Sequence, residues 1–132
     1  MEHGIRVSTV NLSSSDPSVL ARFYAALLGM EIKLEESDWV IISGGDNIPL
    51  AFERDQHYQP PVWPSEPGQP PVQVHLEVLV TDLAGALEHA LACGARLADR
   101  QPQEDVRVCL DPAGHPFCLW VDETGDDPAA SG

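Results

Sequence analysis

The strongest constraint on the fold is an internal repeat, in which the second half of the chain follows the helix and strand pattern of the first. Asp16 and Asp82 each begin a helical pattern, and Gly29 and Gly94 each end it. The two copies are offset by about 65 residues. The repeat therefore predicts two units of the same supersecondary structure.

One amphipathic helix is predicted in each repeat. Asp16 is placed to cap the first helix, and Pro17 stands at a first helical position, where the missing N–H costs nothing. Apolar residues then recur with the spacing of one helical face: Val19, Leu20, Phe23, Tyr24, Leu27 and Leu28. The second helix repeats the pattern with Leu83, Ala86, Leu87, Ala90 and Leu91.

Strands surround both helices. Residues 9–13 and 74–80 alternate between apolar and other side chains, and each run precedes a helix. Further strands are predicted at 30–35, 39–43, 49–54, 95–100, 106–110 and 116–122. Because alternation turns the apolar residues of 74–80 toward the helix, His75 and Glu77 face the opposite side. Each half thus reads βαβββ, which predicts an α+β fold.

Prolines separate the two halves, at positions 60, 61, 64, 67, 70 and 71. Such a stretch sustains neither a helix nor a central strand, so it is interpreted as a linker. The chain is then one domain over 1–132, with modules at about 5–56 and 73–122, a linker at about 57–72 and an acidic tail at 123–132. Trp63 of the linker is placed over the mouth of a cleft or at a subunit contact.

The charge balance excludes several partners. Seven basic residues against 21 acidic ones leave a net charge of −14. Such a chain repels phosphate backbones and anionic lipids, so neither nucleic acid nor a membrane is an expected partner. Three cysteines without CxxC spacing and an N-terminus without a signal pattern predict reduced thiols and a cytoplasmic location.

Three segments resemble a known family: residues 15–29, residues 74–83 and residues 111–119, DPAGHPFCL. They resemble the vicinal oxygen chelate superfamily, which includes glyoxalase I, extradiol dioxygenases and bleomycin-binding resistance proteins. Bacterial glyoxalase-like domain proteins are the most similar members. The resemblance implies two βαβββ modules that form a cupped, mostly antiparallel sheet with two outer helices. It also implies a homodimer.

The resemblance also implies a ligand set for a divalent ion, with one ligand from the first and one from the last strand of each module. Thr9, a poor ligand, stands at the first of these positions, and Cys118 replaces the acid expected at the last. His75 and Glu53 remain as metal ligands, for Zn, Fe or Mn. Because two positions depart from the pattern, a metal-free cleft is favoured.

Two functions follow as hypotheses. In the first, the chain is a lyase or isomerase acting on a small organic molecule, with His75 and Glu77 as catalytic residues. In the second, it binds or sequesters such a molecule without catalysis, as drug-resistance proteins do. The ligand-binding residues expected in either case are Thr9, Asn11, Trp39, Cys118 and Trp120.

Overall fold

The computed structural model describes residues 3–122, and two compact units meet at Gln59 and Pro60 in the sequence. The elements in chain order are β1 (Val10–Ser14), α1 (Pro17–Leu28), β2 (Glu31–Glu35), β3 (Trp39–Ser43), β4 (Leu50–Arg54), β5 (Leu76–Leu79), α2 (Leu83–Cys93), β6 (Arg96–Leu97), β7 (Val106–Leu110) and β8 (Pro116–Trp120). Each unit contains one βαβββ set, so the predicted α+β repeat is confirmed. The predicted acidic tail lies outside the described residues.

Each unit forms its own four-stranded sheet. The strand order is β1-β4-β3-β2 in the first unit and β5-β8-β7-β6 in the second. In both sheets the first and last strands of the unit pair in parallel, and the other neighbours are antiparallel. The mostly antiparallel pairing predicted for the fold is therefore present in both units.

The first helix is held at both ends and along its buried face. Asp16 Oδ1 accepts a hydrogen bond from the Val19 N–H at 3.3 Å, and Gly29 ends the helix with φ at 68°. Tyr24 stacks on Phe52 of β4, with ring centroids 5.9 Å apart. This contact fixes α1 against the first sheet.

The second helix has the same cap but fewer buried contacts. Asp82 Oδ1 accepts a hydrogen bond from the Gly85 N–H at 3.1 Å. Whereas α1 buries five residues, α2, described over its full length, buries Ala90 alone. Within residues 3–122, neither helix is both long and apolar enough to cross a membrane.

Strand β6 is shorter than predicted, because a side chain replaces part of its hydrogen bonding. The sequence predicts a strand over 95–100, but the structure has Arg96–Leu97. The Gln101 amide donates to the Val108 carbonyl at 2.9 Å and accepts the Val108 N–H at 2.9 Å. The Val108 carbonyl also accepts the Ala98 N–H at 3.0 Å, so it is the Val108 N–H, bonded to the Gln101 side chain, that a longer β6 lacks as a partner.

The Pro-rich segment belongs to the second unit, which begins at Pro60. The Val62 N–H donates to the Pro70 carbonyl at 2.7 Å, and Val62 also forms an isolated bridge with Pro71. Gly114 has φ at 90°, and a Cβ placed there would lie 2.9 Å from Pro60 Cβ. The segment thus packs closely against the turn before β8, and the glycine allows this approach.

Candidate functional site

The second unit contains an open pocket with a volume of about 200 Å³. Ten residues line it: Trp63, Val72, His75, Glu77, Pro102, Gln103, Val106, Val108, Pro116 and Cys118. They come from the Pro-rich segment, from β5 and the residue before it, from the segment between β6 and β7, and from β7 and β8. The pocket is smaller than most drug-sized ligand sites, which span about 300–1,000 Å³.

Strand alternation explains which side chains reach the pocket. Glu77 is paired with Cys118 across β5 and β8, and Cys118 is paired with Val108 across β8 and β7. These residues therefore share one face of the sheet. The residues on either side of Cys118, Phe117 and Leu119, are buried on the other face.

The polar part of the pocket begins with an imidazole and carboxylate pair. His75 Nε2 lies 2.9 Å from Glu77 Oε2, and their side chains are 44 % and 54 % exposed. His75 directly precedes β5 and Glu77 lies two residues further on, so an extended chain brings both side chains to one face. The carboxylate holds one ring nitrogen and so orients the imidazole.

Cys118 completes the polar part from β8. Its side chain is buried, and it packs with Ala98 and Val108, with Trp63 and Val106 against them. Burial, followed by the hydrogen bond and negative charge of Glu77, raises the pKa of the Cys118 thiol from 9.0 to about 12. The thiol is therefore neutral near pH 7 and unsuited to act as a nucleophile.

His75, Glu77 and Cys118 together form a set of donors able to hold a metal ion. One ligand atom from each lies within 4.8 Å of the other two. An imidazole, a carboxylate and a sulfur fit a zinc-type ion with one open coordination position, and they suit magnesium poorly. The donor set thus fits a divalent metal, with Glu77 as a donor that the sequence had assigned to catalysis alone.

The remaining predicted residues fall in two places. Thr9, Asn11, Trp39 and Glu53 belong to the first unit. Glu53 is exposed on β4, and its register partners are Trp39 and Ser13. Their proposed roles in ligand or metal binding stay predictions.

Trp120 lies in the second unit, at the end of β8. Its register partners are Leu79 and Val106, so it shares the sheet face of Cys118. It does not line the described pocket, and its role as a ligand-binding residue stays a prediction.

Sequence reasoning placed Trp63 over the mouth of a cleft or at a subunit contact, and it did not include Val72, Pro102 or Gln103 in the site. The structure brings all four to the pocket wall. Alternation finds residues on regular strands, but these four lie outside the strands. The available signal was the single tryptophan within a proline-rich stretch, since a large aromatic side chain in an extended segment usually packs on something.

One comparison with known proteins shows a family. The sequence profile of the glyoxalase-like domain matches residues 9–120. No curated protein is a significant match.

Three solved structures share the fold at low sequence identity. A glyoxalase-related enzyme from Fulvimarina pelagi has 18 % identity and a TM-score of 0.64, with 89 % of this chain and 88 % of that one covered. A bleomycin-binding protein from Streptomyces verticillus has 18 % identity and a TM-score of 0.59, with 90 % and 98 % covered. A lactoylglutathione lyase from Agrobacterium tumefaciens has 16 % identity and a TM-score of 0.61, with 95 % and 99 % covered.

Proposed function

The chain belongs to the glyoxalase-like domain family, within the vicinal oxygen chelate superfamily, and we propose that it binds a small organic molecule in the pocket of its second unit. One observation carries this proposal. Apolar walls and a convergent polar group meet in a single open pocket, formed by Trp63 on one side and by His75, Glu77 and Cys118 on another. This combination is typical of small-molecule sites.

The walls favour a ligand with an apolar or aromatic part. Trp63, Val72, Val106, Val108, Pro102 and Pro116 supply most of the lining. Trp63 is only partly buried against the core beneath it, so part of its ring is available to stack on a ligand. Each Å² of apolar surface that a ligand and these walls remove from water contributes about 25 cal/mol of favourable free energy.

The charges favour a cationic or neutral ligand over an anion. Among the described residues that line the pocket, Glu77 is the one carboxylate and His75 the one imidazole, and none is lysine or arginine. The whole chain carries −14. An anionic ligand would therefore meet an unfavourable field on approach, and no lysine or arginine side chain in the lining would pair with it.

Two structural neighbours support a small-molecule function in different ways. One is named for binding bleomycin, and one for a lyase reaction on lactoylglutathione. Both activities place an organic molecule on this fold. Because fold alone does not determine function, the choice between binding and catalysis depends on the site itself.

The test is a fragment screen followed by nuclear magnetic resonance on the full chain labelled with nitrogen-15. The fragments are divided into cationic, neutral and anionic sets of matched size. We expect hits to shift the indole N–H signal of Trp63, with cations and neutral compounds ahead of anions. Trp63→Ala should abolish binding, and Trp63→Phe should preserve most of it.

Outcomes against the proposal are equally clear. Hits that leave the Trp63 and His75 signals unchanged, or that bind Trp63→Ala as tightly as the unaltered chain, would place the ligand elsewhere. His75→Ala should also weaken the binding of these hits. Its matched control is His89→Ala, since His89 is an exposed histidine on α2, outside the pocket.

A second candidate function, proton transfer by a lyase or isomerase, is favoured by the 2.9 Å contact between His75 Nε2 and Glu77 Oε2. An imidazole oriented by a carboxylate can move a proton to or from a carbon acid, typically with a rate gain of about 10²–10⁴. Each binding fragment with an acidic C–H bond is followed for deuterium uptake in D₂O. Deuterium uptake that is faster with the unaltered chain than with His75→Gln supports catalysis. If both chains bind the fragment equally well and give equal uptake rates, only the binding function remains supported.

The oligomeric state and compartment are part of the proposal as well. We retain the homodimer that the family resemblance implies and the cytoplasmic location expected for three cysteines without CxxC spacing. Sedimentation equilibrium over a range of protein concentrations tests the first, and a monomer at every concentration would contradict it.

A further inference from the structure

We infer that His75, Glu77 and Cys118 form a metal site that prefers a thiolate-binding ion such as Zn²⁺, contained entirely in the second unit. The inference does not require the pocket to hold an organic molecule. It differs from the ligand set predicted from the family resemblance, because it needs neither Glu53 nor Thr9, which belong to the first unit.

The geometry is close to what such an ion needs. The three ligand atoms lie within 4.8 Å of one another, and the donors of a tetrahedral zinc ion lie about 3.5 Å apart, given zinc bonds of about 2.0–2.3 Å. His75 and Glu77 are roughly half exposed, at 44 % and 54 %. Their side chains can therefore make the remaining adjustment toward the buried sulfur by rotation.

The donor chemistry selects the ion. Sulfur and imidazole favour zinc over magnesium or calcium, which take several oxygen ligands. On binding, the S–H bond of Cys118 is replaced by a sulfur–metal bond, and the proton passes to solvent. The Glu77 carboxylate then contacts the ion in place of the neutral thiol.

The surroundings leave one coordination position open. Apolar side chains of Ala98, Val106 and Val108 lie around the sulfur, while His75 and Glu77 face the open pocket. Three protein ligands and one position toward a cavity are the arrangement of a zinc site that accepts water or a ligand. A metal ion here would meet whatever enters the pocket.

A second histidine and cysteine pair provides an internal control. On α2, Cys93 Sγ lies 3.8 Å from His89 Nε2 and 3.9 Å from His89 Nδ1. Within residues 3–122, this pair is not part of a cluster of three or more metal-binding side chains. It is therefore the obvious place for weak binding unrelated to the pocket.

The experiment is a titration of the full reduced chain with Co²⁺, followed by absorption spectroscopy. A cobalt–thiolate bond gives a charge-transfer band in the near ultraviolet, and a tetrahedral site gives strong visible bands. We expect both with one equivalent of Co²⁺, and we expect Zn²⁺ but not Mg²⁺ to remove them. Cys118→Ser should abolish the near-ultraviolet band, and His75→Ala should weaken Co²⁺ binding.

Control variants make the result decisive. Cys93→Ser and His89→Ala should leave both bands unchanged. Circular dichroism melting shows whether Cys118→Ser, a near-isosteric change, remains folded. The absence of a thiolate band in the unaltered chain, or a band that survives Cys118→Ser and disappears in Cys93→Ser, would overturn the inference. A positive fragment screen with no cobalt band would overturn the metal site and leave the proposed function standing.

Discussion

Burial raises the pKa of both buried thiols, to about 12 for Cys118 and about 11 for Cys109, and the larger shift leads to a test of reactivity. Burial and the Glu77 carboxylate together raise the pKa of Cys118. Cys93 is only partly buried. We expect iodoacetamide at pH 8 to modify Cys93 well before Cys118, as measured by mass spectrometry of peptides from the metal-free chain.

The same argument predicts the effect of removing the carboxylate. Because the negative charge of Glu77 raises the pKa of the thiol, Glu77→Gln should lower it, and a larger thiolate fraction should be present at pH 9. The alkylation rate of Cys118 should rise by several-fold toward the limit of about tenfold per pKa unit. Glu104→Gln is the matched control. An unchanged rate would show that burial alone determines the shift.

Asp111 makes the turn before β8 a stability determinant. Its side chain is buried, with 1 % exposed, and Oδ1 accepts hydrogen bonds from the N–H groups of Ala113 at 2.9 Å and His115 at 3.0 Å. Asp111→Ala leaves both donors without this partner and should lower the free energy of unfolding by about 2–3 kcal/mol.

Urea unfolding at pH 7 measures this effect. Asp111→Asn keeps an oxygen acceptor, so its free energy of unfolding should fall by about half as much as that of Asp111→Ala. Asp99→Ala, an exposed aspartate near β6, is the control for a general loss of negative charge. A loss below about 0.5 kcal/mol for Asp111→Ala, within the range of ordinary surface substitutions, would contradict the role given to this side chain.

At the residue level, the site was predictable where strands are regular. Alternation put His75 and Glu77 on one face, the family resemblance put Cys118 at a ligand position, and the structure brings the three ligand atoms together. The pairing of Glu77 with Cys118 could not be predicted from alternation, because it depends on the parallel register of β5 and β8. No local pattern gives the register of strands that are separated by some 40 residues.

At the level of elements, the two helices share caps but differ in how firmly they are held. Five residues of α1 are buried, including Leu20, Phe23 and Tyr24, whereas Ala90 is the one buried residue of α2, which the structure describes throughout. Because each buried large apolar side chain contributes about 1.5–3 kcal/mol, α2 should open locally at a lower free energy than α1.

Hydrogen exchange followed by nuclear magnetic resonance tests this difference. We expect the central amides of α2 to exchange at least about tenfold faster than those of α1, which corresponds to about 1.4 kcal/mol. Exchange should be compared at two protein concentrations. Equal protection in both helices would contradict the burial argument, and protection of α2 that grows with concentration would indicate a covering partner.

The elements themselves follow closely from periodicity and caps. Both helices begin after the predicted aspartates, and all eight strands fall within the predicted runs or one residue beyond them. The strand that differs most in length is β6, which is followed by a Gln101 side chain that bonds to both backbone groups of Val108. A glutamine that mimics a backbone peptide has no distinct sequence pattern, so this shortening was not predictable.

At the level of the whole molecule, charge rather than packing determines how the stability of the fold changes with solution conditions. The chain has 21 acidic and 7 basic residues, and the described ion pairs of Lys and Arg have largely exposed side chains: Arg22–Glu35, Lys33–Glu31 and Arg54–Asp38. Exposed pairs contribute about 0–1 kcal/mol each. Repulsion among the excess carboxylates should therefore outweigh attraction, and it should destabilise the folded chain at low ionic strength.

Added salt should then stabilise the protein. At 0.15 M ionic strength the screening length is about 8 Å, so repulsion between distant carboxylates is largely removed while hydrogen-bonded contacts persist. We expect the melting temperature at pH 8 to rise by a few degrees between 10 mM and 300 mM NaCl, as about 1 kcal/mol would produce. Neutralising Glu36, Glu66 and Glu88, all exposed, by substitution to glutamine should raise the melting temperature at low salt and reduce the further gain from NaCl. A melting temperature that falls with NaCl would mean that the ion pairs, and not the repulsion, dominate the electrostatic free energy of this fold.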